Sequence, residues 1–185
     1  MTIQRDYFLF PRSFLCACCI LLISFSFITK LFAQVREPTE FELKVAILYN
    51  FALFTEWPIV SGNTLNLCLY GQDPYGNAIQ VLTKKYVQNR QLHIDYVRQL
   101  TDIDNCHILY IYSSELSQIE SLIKQINSKP ILTIIDVPGN NNHIGIINLA
   151  MEKQKIRFDI NLLAANRAGL SLSSKLLRLA RKIHQ

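Results

Sequence analysis

The chain has 185 residues, the length of one domain with its own core. Its formal charge of +5 comes from 19 Lys and Arg against 14 Asp and Glu. The one basic cluster, Lys175, Arg178, Arg181 and Lys182, reads as a solvated helix face near the negative end of a helix. That excludes a nucleic-acid footprint, which needs basic residues gathered over a face.

Residues 1–33 have the layout of a secretory signal peptide. Arg5 and Arg12 precede an apolar run over residues 14–28, and Leu31-Phe32-Ala33 supplies a small residue at the cut. An uncleaved anchor needs about 18 apolar residues, a length the run to Phe32 nearly reaches apart from Lys30. The expectation is cleavage after Ala33, export, and a single domain over residues 34–185. Removing the signal leaves a net charge of +3, with 16 basic and 13 acidic side chains. It also removes Cys16, Cys18 and Cys19, so Cys68 and Cys106 remain as an even pair in an oxidising compartment, which suggests a disulfide. Neither has the near partner of a zinc site.

The stretch from Thr39 to Trp57 reads as a long core helix. Thr39 and Glu42 have the spacing of a capping box. Leu43, Ile47, Phe51 and Phe54 recur at helical spacing, and Val45, Leu48, Ala52 and Leu53 widen the apolar face, so the helix is expected to be covered on more than one side. Pro58 ends it. Residues 65–70 form a buried strand, followed by Gly71-Gln72-Asp73-Pro74-Tyr75-Gly76. Asp73 suits an N-cap and Pro74 a first turn, with a helix to Lys85. Residues 92–97 alternate as a half-buried strand, with Leu92, Ile94 and Tyr96 inward. A strand at 106–111, a helix capped by Ser114, and an apolar strand at 131–135 follow. After the polar loop 138–142, segments 144–150 and 155–160 form a hairpin. Asn161 caps a short helix that stops at Gly169, and a last helix spans 173–183. The fold class is therefore α/β: a single domain with a mostly parallel six-stranded sheet, about five flanking helices and a C-terminal β-hairpin.

Chemistry-bearing motifs are sparse. The Asp73–Tyr75 turn lies between a strand and a helix, where open α/β sheets bind ligands. It reads either as a capped helix start or as a small-ligand crevice. It has neither dinucleotide glycine spacing nor a P-loop lysine. The polar loop at Pro138 reads equally as a surface turn or a functional loop. His93, His107, His143 and His184 are scattered without metal-ligand spacing, and there is no GxSxG. No cofactor motif is present, and nothing favours an enzyme.

An ordered set of residues is more specific. It comprises Glu42-x-Lys44-x-Ala46-x-x-x-Asn50-Phe51, Glu56-Trp57-Pro58, Cys68 with Gly71-x-Asp73-Pro74-x-Gly76, and Cys106-His107-x-Leu109. It continues through Asp136-x-Pro138-Gly139, Ile147-Asn148, Arg157-Phe158-Asp159-Ile160-Asn161 and Gly169-Leu170-x-x-Ser173-Ser174-Lys175-Leu176-Leu177. Over residues 39–183 this set resembles the YfiR-like family of periplasmic proteins. The resemblance implies an α/β protein able to form a homodimer. It also implies a repressor that acts on the periplasmic domain of an inner-membrane signalling protein, such as a diguanylate cyclase or sensor kinase. Its output is then cyclic-di-GMP signalling and biofilm formation. By position, Ile147 and Asp159 fall on the family's partner-binding surface. The pair Cys68 and Cys106 matches, whereas Asn141 and Asn148 stand where well-known members carry a second cysteine pair, so a redox mechanism through that pair does not transfer. The competing function is a periplasmic small-ligand module using Asp73 and Tyr75.

Overall fold

The computed structural model describes residues 36–58, 62–71, 73–98, 100–112, 116–137, 144–153 and 155–185. The segment expected to be a signal peptide, Ser114, and the loop at Pro138 with Asn141 and His143 lie outside the described residues.

Helix α1 (Glu40–Leu53) begins as its sequence dictates. The Thr39 hydroxyl accepts from the Glu42 amide, and the Glu42 carboxylate accepts from the Thr39 amide at 2.8 Å. Its core stripe is Val45, Leu48, Phe51 and Ala52. Leu43, expected to face inward, is 44% exposed, and Leu53 is exposed as well. The expected second cover of this helix is therefore absent among the described residues. The helix also stops before Pro58. The Thr55 hydroxyl donates to the Phe51 carbonyl at 2.7 Å, and Thr55–Glu56 turns extended as β1, pairing antiparallel with β9 (Ser171–Leu172). A β-branched residue with a nearby strand partner outweighs one more helical turn.

Among the described residues the main sheet has eight strands: β2 (Thr64–Gly71), β3 (Tyr86–Val87), β4 (Arg90–Val97), β5 (Ile108–Tyr112), β6 (Leu132–Ile135), β7 (Ile147–Glu152), β8 (Lys155–Asn161) and β10 (Lys182–His184). Their spatial order is β10-β8-β7-β6-β5-β2-β4-β3. Only the pairs β7–β8 and β3–β4 are antiparallel. The six predicted strands form the middle of this sheet, and the short strands β3 and β10 enlarge it to a mixed one. The β3–β4 turn puts Gln88 and Asn89 at φ +50° and +66°, the left-handed pair that a two-residue type I′ hairpin requires. The predicted hairpin is β7–β8.

Two further elements depart from expectation. The segment after Tyr75 is a 3-10 helix (Gly76–Lys84) rather than an α-helix, and a second 3-10 helix (Leu100–Asn105) precedes β5. The last helix, α4 (Ser174–Leu179), is short. Ala180 is extended, and the chain continues as β10 alongside β8. Between them, α3 (Leu162–Arg167) is capped by Asn161 accepting from the Ala164 amide at 2.9 Å, and Gly169 follows it at φ +69°.

Alternation along the strands divides the core. Leu65, Leu67, Leu69, Ile108, Tyr110, Leu132 and Ile134 face α1, the first 3-10 helix and α4. Cys68, Leu109, Ile111 and Ile135 face α2 (Leu116–Ile126), whose Ile119, Leu122 and Ile126 are buried. Near-continuous apolar strands covered on both sides follow from this. Cys68 and Cys106 are joined by a disulfide with Cα atoms 5.8 Å apart, fastening β2 to the entrance of β5.

Candidate functional site

The chain leaves β2 towards the α1 side and β5 towards the α2 side, because the 3-10 helix after β2 packs in one core and α2 in the other. The carboxyl ends of these adjacent strands thus make a topological switch point, the usual ligand crevice of an open α/β sheet. Asp73 and Tyr75 stand there, as the sequence suggests. Asp73 Oδ1 accepts from the amides of Tyr75 at 2.8 Å and Gly76 at 3.2 Å, and Oδ2 accepts from the Tyr96 hydroxyl at 3.1 Å. Tyr96 shares the sheet face of its register partner Leu69, as alternation predicts, but is 52% exposed rather than buried. The carboxylate caps the first 3-10 helix and holds one tyrosine.

Behind it lies a polar network that sequence reading did not pick out as a site. Lys44 Nζ of α1 contacts Asp136 Oδ2 at 2.8 Å and Glu40 Oε1 at 2.9 Å. The Tyr110 hydroxyl donates to Asp136. The Tyr75 ring, 5% exposed, packs with its centroid 5.2 Å from that of Tyr110, and Phe41 meets its edge. Burial pushes the Tyr75 and Tyr110 phenols well above their ordinary range, and the nearby Asp136 carboxylate adds to it. Both stay protonated. Burial works against the Lys44 ammonium, but the contacts with Asp136 and Glu40 outweigh it and its pKa is raised. The signal for this network was present: Lys44 interrupts the apolar stripe of a core helix, and Asp136 ends an apolar strand.

The two residues of the C-terminal hairpin lie inside the sheet. Ile147 is 0% exposed and pairs with Ile160. Asp159 pairs with Asn148, is 1% exposed, and receives Arg181 in a two-pronged contact of 2.9 and 2.6 Å. They sit on neighbouring strands, with Ile147 in the core beneath α1 and Asp159 clamping β10 to β8. Asn148 closes a local ring: its amide donates to the Gly145 carbonyl at 2.8 Å, and its oxygen accepts from the Gly145 amide at 3.1 Å. A Cβ at Gly145 would run into Ile135. The entrance to β7 is thus held by hydrogen bonds at the position where the resemblance places a cysteine.

At the opposite end of the strands, Trp57, Asn66, His107, Lys129 and Ile131 line an open depression of about 390 Å³ next to Cys106. Trp57 Nε1 donates to the His107 carbonyl at 3.1 Å, and the Asn66 amide donates to His107 Nδ1 at 3.0 Å. Burial, then the charge of Arg90, lowers the His107 pKa, so the ring is neutral with its proton on Nε2. Among the described residues no group of three or more His, Cys, Asp or Glu side chains could hold a metal. None of the described helices is long and apolar enough to cross a membrane.

A family model described as YfiR/HmsC-like matches residues 41–181. The match runs from the first turn of α1 to Arg181, the residue that anchors β10.

Proposed function

The chain belongs to the YfiR/HmsC-like family, and from that membership we propose that it is an exported regulator of an inner-membrane signalling protein. The family is periplasmic and associated with regulation of diguanylate cyclases. In the proposed mechanism the chain binds the periplasmic sensor domain of such an enzyme and represses it, so that cyclic-di-GMP falls and biofilm formation is restrained. Match over nearly the whole folded part is the observation that carries this reading. The signal-peptide layout of residues 1–33 and the Cys68–Cys106 bridge support it, because export and oxidation go together.

The surface proposed for the partner is the β7–β8 hairpin with β10. Ile147 and Asp159 act there from within: Ile147 sets the register of β7 against the core, and Asp159 holds the outer strand. Deleting the gene is expected to raise cyclic-di-GMP, and the exported chain is expected to co-purify with a membrane protein that joins a periplasmic sensor to a cytoplasmic cyclase or kinase domain. Unchanged cyclic-di-GMP together with no such protein captured would refute the proposal.

A second reading, a small-ligand module, is favoured by the position of Asp73 and Tyr75 at the switch point. It expects a thermal shift with a small polar metabolite that Asp73→Asn abolishes. A metabolite panel with no shift at saturating concentration would remove it.

A further inference from the structure

We propose that the groove between α2 and α3 is a binding site for a short-chain fatty acid, held as its carboxylate anion. α2 presents two faces. Ile119, Leu122 and Ile126 are buried against the sheet. Glu120, Ile123 and Lys124, with Asn127 just past the helix end, follow at spacings of three and four on a neighbouring face. That second face meets α3 and its cap across a cleft of about 340 Å³. Ile123, Ile144 and Ala164, all half-buried, supply its apolar lining. Lys124 and Arg167 are exposed at its rim, one from each helix. The cleft shares no residue with the switch-point network or with the depression beside Trp57.

Charge, depth and size identify the occupant. Lys124 and Arg167 have no ion-pair partner among the described residues. Glu120, one turn before Lys124, is the single carboxylate of the lining. Two cations against one carboxylate favour an anionic head, and a guanidinium offers the fork that a carboxylate fits. Deeper in, Ile126, Ile131 and Ile146 bound a void of about 20 Å³ that shares Ile123, Ile144 and Ala164 with the cleft. A space of that size holds one water or one methyl group. Its polar members are already engaged: Thr133 Oγ1 accepts from the Ile146 amide at 2.9 Å, and Asn127 Oδ1 from the Ser128 hydroxyl at 3.0 Å. A water needs several polar partners, so an apolar tip suits the void better. No aromatic ring lines the cleft, and its aliphatic walls match an aliphatic tail. Ligand pockets run from roughly 300 to 1,000 Å³, and this one, at the small end, takes a short chain rather than one of membrane length. The head then lies between Lys124 and Arg167 and the methyl end points into the void. The inference stands apart from both readings of function above.

Calorimetric titration of octanoate into the purified protein at neutral pH is the test, with amide NMR spectra to locate the ligand. Saturable binding is expected, with the largest shift changes at Ile123, Ile144 and Ala164. Octanol, the same tail without the charge, is expected to bind about tenfold more weakly, and acetate, the charge without the tail, not to saturate. Lys124→Glu and Arg167→Glu, both at exposed positions, are each expected to weaken octanoate by about tenfold with an unchanged melting profile. Glu120→Gln is expected to tighten it by about threefold, because a like charge leaves the rim. Ala164→Phe is expected to fill the cleft and abolish binding; if it failed to fold, the two charge reversals would decide the matter. No saturable binding of octanoate would overturn the proposal, as would shift changes centred away from the cleft. Octanol binding as tightly as octanoate, or unchanged affinity in a folded chain carrying both charge reversals, would overturn it too.

Discussion

Asp136 is the residue on which the switch-point network turns. It accepts from the Tyr110 hydroxyl and faces the Lys44 ammonium, whose side chain is 9% exposed. Replacing it by asparagine leaves that buried cation with Glu40 alone. Breaking a buried pair from one side costs about 3–5 kcal/mol. Asp136→Asn is therefore expected to lose about 3 kcal/mol in urea unfolding, and an unchanged midpoint would contradict the role assigned to it. His107 carries a pH signature. Its Nδ1 accepts a backbone hydrogen bond, which protonation would break, and its folded pKa lies below the ordinary 6.5. The unfolded chain thus binds this proton more readily than the folded one. Its contribution to stability is complete above pH 6.5 and is lost as pH falls from there through the folded value. Unfolding midpoints measured from pH 7.5 down to about 5 should show the decline, and His107→Gln should flatten it.

At the scale of elements, the caps were legible and the ends were not. Thr39 and Asn161, both read as caps, each bond an amide three residues on, a local geometry that sequence spacing encodes. The end of α4 shows the opposite case. Apolar spacing through Ile183 reads as continuous helix, yet the chain turns extended at Ala180, because the Arg181 amide donates to the Phe158 carbonyl and its guanidinium to Asp159. A partner some twenty positions away in sequence overrides local periodicity, and one sequence cannot display it. The strand that results is three residues long and depends on this latch. Arg181→Ala leaves the buried Asp159 carboxylate without its main cation. The expected cost is about 3 kcal/mol, with faster hydrogen exchange at the amides of Ile183 and His184. If those amides kept their protection, the latch would be unnecessary.

For the whole molecule, the parallel centre was readable because runs such as Ile131–Ile135 are almost wholly apolar, with Thr133 the one polar residue, as strands covered on both faces are. The additions β1, β3, β9 and β10 were not readable, since two or three residues carry no period. The site divides the same way. Asp73 was visible through its turn, whereas the joining of Lys44 to Asp136 needs the sheet to bring the start of α1 over the end of β6. The Cys68–Cys106 bridge spans the β2-to-β5 segment, the paired cysteines lying 38 positions apart in sequence, and such a loop closure is worth about 4 kcal/mol in the chain-entropy model. Reduction should lower the melting temperature and add the mass of two hydrogens. A mass unaffected by reductant would mean that the bridge does not form in the protein.

The position of Trp57 gives that bridge an optical readout. This is the chain's one tryptophan, its indole tied to the carbonyl next in sequence to Cys106, and a disulfide close to an indole quenches its emission. The folded, oxidised protein should therefore fluoresce dimly and brighten when the bridge is opened, before any shift of the spectrum to the red reports unfolding. A single emission trace would then separate loss of the covalent tie from loss of the fold.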